Sequence, residues 1–288
     1  MAFQPSDIVL VTGANDHVTQ HAVDHLLALP NGPRVCATVR SESSTFQLES
    51  FFSKAISSER PSVVRIPDLI TPSAFDGAIQ DVAHIAQIAS PLVIGVQDTE
   101  KDLLLPAIHG TTNILTAALK VPTIKSIVVT SSFASVVDVA YWKRPGYTYS
   151  STDWNPITYA EAADPNLDLT RWPEQHRPFI TYMASEKLAG SAALELYGDK
   201  EPQWSLSPPL PTYIGGPYIL PLAKGADKLV LVAYGFFCIN IHLYPHFIFS
   251  ITEVPYQTSH TNCVFRKRPV ILAESSAKAI SRSVELVG

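Results

Sequence analysis

Cysteine is scarce in this sequence. Cys36, Cys238 and Cys263 are scattered over 288 residues, odd in number and without a CxxC pair. They give no disulfide framework, and a reducing, cytosolic setting is the expectation. Charge is sparse too. Only 16% of residues are Asp, Glu, Lys or Arg, the net charge is −5, and no long basic block occurs. A phosphate-backbone partner therefore has little to bind, and no nucleic acid is expected. The opening stretch MAFQPSDIVLVTG has no basic region leading into an apolar segment and a cleavage site, so no secretory signal is expected. Internal repeats are missing. No GxSxG elbow surrounds Ser131 or Ser132, which argues against a serine hydrolase. Arg266-Lys267-Arg268 is a short basic cluster, expected to be solvated.

What is present is a hydrophobic content of 46% over a length able to bury a large core, as one domain or two. Strand-like and helix-like patterns alternate through the first 130 residues. Strands are predicted over Asp7 to Val11, Arg34 to Val39, Ser62 to Ile66, His84 to Ala89 and Ser126 to Thr130. Val18, Ala22 and Leu26 repeat at helical spacing, and Pro30-Asn31-Gly32 ends that helix. A second helix is predicted from Thr99 to Leu119, kinked at Pro106. Such alternation predicts an α/β fold, a Rossmann-like doubly wound parallel sheet with right-handed crossovers, whose ligands bind at the carboxyl ends of the strands. Residues 132–178, rich in Pro, Tyr, Trp and Asp, read as loops over the sheet edge. A helix around Tyr182 and a sixth strand within SLSPPLPTYIGGP follow.

After about Lys228 the texture changes. LVLVAYGFFCINIHLYPHFIFSI is long enough to span a membrane, but Asn240, His242, Pro245 and His246 interrupt it. The expectation is a division into residues 1–228, an α/β domain, and 229–288, an atypical apolar-then-polar segment.

VTGANDHVT leads from the first strand into the first helix, where a tight turn can deliver a pyrophosphate onto a helix N-terminus. Gly13 can make the turn. Asp16 stands where a second glycine would let phosphate approach, and Thr19 where a small residue eases helix packing. One glycine of three is a weak motif. The second strand ends in Thr38-Val39-Arg40-Ser41, and an arginine there suits a ribose 2′-phosphate, hence NADPH over NADH. Asp68 can hydrogen-bond an adenine amino group, or serve as a turn or cap residue. His17, His21 and His25 repeat every four residues, as do His242 and His246, with no carboxylate or thiol to complete a metal site.

The segments VTGAN, TVRS, PDL, IASP, LLLPAIHGTTNIL, VVTSS, DWNPITYAEA, YMAS and PTYIGGP occur in one order at plausible spacings. Together they resemble the extended short-chain dehydrogenase/reductase superfamily, in particular the dihydroflavonol reductase-like branch with fungal NADPH-dependent aldehyde and ketone reductases. The likeness covers roughly residues 6 to 228; PAIHGTTNIL and DWNPIT are its specific pieces. It implies a Rossmann domain with a smaller substrate lobe, and cofactor contacts from Thr12, Gly13, Asn15, Arg40, Asp68, Leu69, Ala89 and Ser90. It implies a catalytic serine, tyrosine and lysine: Ser132 (Ser131 in the other register), Tyr182 and Lys187. Trp154 is expected to anchor its loop.

In such a site the tyrosine gives a proton to the developing alkoxide, the serine holds the substrate oxygen, and a neighbouring ammonium eases loss of a phenolic proton whose ordinary pKa is ~10. The lysine normally sits four residues after the tyrosine, about 40° around the helix. Lys187 is five residues on, about 140° around, and Glu186 takes the inward direction. Three accounts stay open: a π-bulge that brings Lys187 back, an impaired site, or an error in the deduced sequence. The expected activity is NADPH-dependent reduction of a ketone or aldehyde on a small metabolite, in the cytoplasm. The alternatives are a non-catalytic NADP-binding or scaffold protein, and a sugar-nucleotide epimerase or dehydratase.

Overall fold

A computed structural model describes residues 3–220, apart from 57–59, 92, 94, 142–145, 151, 213 and 215–217. The expectations for residues 221–288, including the boundary after 228, the apolar run and the substrate lobe, lie outside the described residues.

Six short strands form one sheet: β1 (Ile8–Val11), β2 (Arg34–Val39), β3 (Pro61–Arg65), β4 (His84–Gln87), β5 (Ser126–Val129) and β6 (Ser205–Ser207). The order is β3-β2-β1-β4-β5-β6, every pairing parallel. Helices α1 (His17–Ala28), α2 (Glu42–Phe51), α3 (Ser53–Ile56), α4 (Leu105–Ala118), α5 (Tyr159–Ala163) and α6 (Ile180–Lys200) make the connections. The strands are apolar on both faces because each face is covered, and alternation along β1 divides the core. Leu10 points into a cluster with Phe75, Ile85, Ile114 and Ala193, under α4 and α6. Val9 and Val11 point the other way, into a cluster with Val23, Leu26 and Leu48, under α1 and α2.

The doubly wound parallel sheet is as the alternation predicts, with strand ends shifted by a residue or two. Helix α2 is unpredicted. Its sequence ESSTFQLESF buries only Leu48, so it carries almost no apolar period, although the Ser41 hydroxyl accepts a capping bond from the Ser44 amide at 3.2 Å. The predicted kink at Pro106 is a correction. Pro106 lies in the first turn of α4, where a missing N–H is harmless, and a π-helical turn, Glu100–Leu104, precedes it.

The 133–180 region packs short helical turns over a third core of Leu104, Val137, Ile157, Trp172 and Met183. Asn155 fastens it: its amide donates to the carbonyls of Ala134 (2.9 Å) and Met183 (2.8 Å) and its oxygen accepts from the Ile157 amide (3.2 Å). At the amino ends of the strands, buried Asp7 accepts from Lys125 Nζ at 2.8 Å and faces His84 Nε2 at 3.5 Å, while His84 Nδ1 meets the Ser126 hydroxyl at 2.7 Å. Burial works against the Asp7 carboxylate, but the Lys125 bond and the Gln4 amide hold its pKa below the ordinary value. Among the described residues no helix is long and apolar enough to cross a membrane.

Candidate active site

The strand order reverses direction between β1 and β4, so the crevice at their carboxyl ends is where a ligand fits. The turn from β1 into α1 begins with Gly13 at φ 62°. A Cβ there would lie 2.9 Å from the Cβ of Ala89 and 2.6 Å from Asp16 Oδ2, so conformation and space both require glycine. The Asp16 carboxylate therefore lies over the turn. It stands at the N-cap of α1 but makes no capping bond. Its pKa is raised because the loop crowds water from it, against the pull of Arg40; exposure of the residue keeps that effect modest. Arg40 is exposed at the end of β2 and Asn15 half-buried in the loop.

The Thr12 side chain is fully buried, and its hydroxyl accepts from the Ile88 and Ala89 amides, both at 3.0 Å, tying the loop to the β4 exit. Thr19 is no obstacle to packing: its buried hydroxyl donates to the carbonyls of Gly13 and Asp16 and braces the turn. The Asp68 carboxylate accepts from the Ile70 amide (3.0 Å) and Thr71 hydroxyl (2.8 Å), so it does the work of a turn residue. Leu69 is half-buried beside it, its carbonyl accepting from Asn113 at 3.0 Å.

Helix α6 places the chemistry. It is α-helical from Ile180 to Lys200, with no π-bulge. Tyr182 and Glu186, one turn apart, share a face. The phenol lies beside the Ser132 hydroxyl and the Glu186 carboxyl. Ser132 caps the turn after β5, accepting from the Ala134 amide at 3.1 Å. The neighbour of the phenol is thus Ser132, and Ser131 lies elsewhere, its buried Oγ 3.5 Å from where a Cβ on Gly190 would be. Lys187 is not brought to Tyr182. Five residues on, it faces away, and Nζ donates to the Ile157 carbonyl at 2.8 Å. The bulge that would return it to the site is overturned by the regular helix.

Glu186 is 6% exposed, and Ser90 Oγ donates to its Oε1 at 3.0 Å. Burial raises its pKa to about 7, against the pull of the Ser90 and Tyr182 hydroxyls. The Tyr182 pKa is raised as well, first by burial and then by the Glu186 charge, with Ser132 opposing. A line of contacts, Gly13 to Ala89, Ser90 to Glu186, and Glu186 to Tyr182 and Ser132, joins the nucleotide turn to the phenol. Sequence reasoning missed the Ser90–Glu186 bond, which only the tertiary fold creates.

No protein-family model matches the chain. Individual proteins do. An uncharacterized oxidoreductase of Schizosaccharomyces pombe is 37% identical over 223 residues, 77% of this chain and 62% of that protein. Aldehyde reductase 2 of Sporidiobolus salmonicolor is 31% identical over 209 residues, 73% of this chain and 58% of that protein. The crystal structure of yeast methylglyoxal/isovaleraldehyde reductase complexed with NADPH superposes with a TM-score of 0.65 at 29% identity, covering 74% of this chain and 60% of that one. Over the matched residues the chain is similar to these oxidoreductases in sequence and fold. It spans less than two thirds of the length of each of these three relatives.

The chain has Ser132 and Tyr182 where the resemblance implies a serine and a tyrosine, and Glu186 where it implies a lysine. That exchange has a stability signature. An unfolded Glu186 ionises near 4.5, whereas the folded one keeps its proton up to about 7. Between those values the folded state binds more protons, so this residue makes stability fall as pH rises, by about 3 kcal/mol in all. Denaturant titrations at pH 5 and pH 8 should show that loss in the wild type and not in Glu186→Gln; equal losses in both would refute the buried acid.

Other constellations do not compete. Ser126, His84 and Asp7 line up like a hydrolytic triad, but Ser126 is fully buried at the opposite end of the sheet and no substrate reaches it. His17 packs on Tyr218 with ring centroids 4.6 Å apart and on His21 at 6.1 Å. Among the described residues no group of three His, Cys, Asp or Glu side chains is placed to hold a metal ion.

Proposed function

We propose that the protein reduces an aldehyde or ketone group on a small organic metabolite with NADPH, Tyr182 giving the proton. The observation that carries this reading is the Tyr182 phenol, beside Ser132 and reached from the Gly13 turn through Ala89 and Ser90. Reductase relatives, one of them complexed with NADPH, support it. The residues fit such a cofactor: a turn that only glycine can make, helix α1 with an uncapped N-terminus, and Arg40 at the end of β2. Gly13, Asn15 and Ala89 would flank the pyrophosphate, and Arg40 would bind the 2′-phosphate. The cofactor, when bound, supplies hydride to the carbonyl carbon. Ser132 would hold the carbonyl oxygen by a hydrogen bond, and the Tyr182 hydroxyl would protonate it as charge develops.

The test is NADPH oxidation with a panel of aromatic and aliphatic carbonyls. Oxidation that depends on the carbonyl supports the reading, and none with any carbonyl refutes it. Arg40 adds a prediction. Arg40→Ala should weaken NADPH binding about 10- to 100-fold, through loss of charge-assisted bonds worth roughly 1.5–3 kcal/mol, and leave NADH binding unchanged. Cofactor fluorescence titration measures both; equal weakening of the two would remove Arg40 from the phosphate. A second reading, binding of NADP without turnover, draws on the Asp16 and Glu186 carboxylates. Stable binding without carbonyl-dependent oxidation would favour it.

A further inference from the structure

We infer that Glu186 is the proton reservoir of the reduction: its carboxyl hands a proton to the Tyr182 oxygen and regains one through Ser90 and a hydrated polar recess behind the helix. This rests on the reductase reading above. Glu186 lies one turn after Tyr182 on the same face of the regular helix α6, and its Oε1 accepts from Ser90 Oγ at 3.0 Å. Ser90 is exposed, so the buried carboxyl is one hydrogen bond from solvent. A small recess opens beside Glu186, lined also by Gln87, Ser90, Thr111, Thr130 and Ser131. Gln87 Oε1, Thr130 Oγ1 and Ser131 Oγ are buried there without a protein partner. One such orphan costs roughly 1–3 kcal/mol, and three around one recess are what ordered water satisfies.

The proton steps balance. The substrate alkoxide takes the Tyr182 proton as the phenolic O–H bond breaks. The phenolate oxygen takes the Glu186 carboxyl proton, and the carboxylate takes one from water by way of Ser90 or the recess. One proton leaves solvent per carbonyl reduced, and the phenolate, which burial and a Glu186 charge disfavour, never has to persist. An ammonium would ease the ionisation by its charge; a carboxylic acid replaces the proton instead. Among the side chains that share this recess or adjoin Glu186, only Tyr182, on its own helix, titrates; those from the β4 exit (Gln87, Ser90), the β5 exit (Thr130, Ser131) and α4 (Thr111) do not. Glu186 thus sets the pH response, with its proton retained up to about 7.

The test compares carbonyl reduction against pH in the wild type, Glu186→Gln and Ser90→Ala, together with infrared difference spectra of the cofactor-free proteins. The wild-type rate should fall about tenfold per pH unit once Glu186 ionises. Glu186→Gln, which keeps the shape and loses the proton, should run at least about tenfold slower at pH 6, with no such fall. Ser90→Ala, an exposed change, should slow turnover several-fold and keep the acid limb. The spectra should show a protonated carboxyl band at pH 6, bleached at pH 8 and missing from Glu186→Gln. A Glu186→Gln enzyme with wild-type rate and profile would overturn the inference and leave the reductase reading standing, as would the lack of a titrating band. A titrating band in a protein that oxidises NADPH with no carbonyl would overturn both.

Discussion

Tyr182→Phe slows carbonyl reduction by about 10²- to 10⁴-fold, the range that removal of a positioned general acid commonly costs. The ring is half-buried and its packing survives the change, so the loss is of the hydroxyl alone. Ser132 keeps its capping bond to the Ala134 amide and stays in position. Glu186 keeps its bond from Ser90. NADPH affinity should be unchanged within a factor of about 3, because the role proposed for the phenol is at the reacting carbonyl and the phosphate contacts are proposed at the Gly13 turn and Arg40. Stopped-flow oxidation of bound NADPH separates the two quantities. A phenylalanine variant as fast as the wild type would end the assignment of Tyr182 as donor, whatever the protein binds.

Asp16→Gly tightens NADPH binding by roughly 10- to 100-fold. A carboxylate folded over the Gly13 turn opposes a pyrophosphate there, and in partly solvated surroundings such like-charge repulsion amounts to about 1–3 kcal/mol. Removing it also frees backbone for close approach. Little stability is lost, because Asp16 makes no capping bond, its backbone carbonyl still receives the Thr19 hydroxyl at 2.9 Å, and glycine adopts φ −78° without strain. Arg40 loses its acidic neighbour and becomes freer to meet a 2′-phosphate. Titration at two salt concentrations checks the cause: the gain should shrink as salt rises. A gain that ignores salt would point to shape, and no gain would mean that the cofactor avoids the turn.

The sheet was readable because its strands are buried on both faces and announce themselves as short apolar runs; Arg34–Val39 ends where the pattern says it should. On a regular helix the 100° step puts Glu186 towards Tyr182 and turns Lys187 away, but whether a bulge intervened was not readable from the residues. Elements without an apolar period stayed hidden, α2 above all. At the nucleotide turn the sequence gives residue types but not partners. Thr12 reads as a ligand contact by position, yet its hydroxyl is spent on the Ile88 and Ala89 amides. Ser90 and Glu186 are 96 residues apart in the chain, and nothing local in either predicts that they meet.

The Asp7, Lys125 and His84 network sits at the amino end of β1, and the Gly13 turn at its carboxyl end. A strand of this length holds the two roughly 15–20 Å apart, about twice the screening distance in physiological salt. The fixed charges that anchor the sheet are thereby set apart from the proton chemistry proposed at its far rim, and drift in one can accumulate without detuning the other.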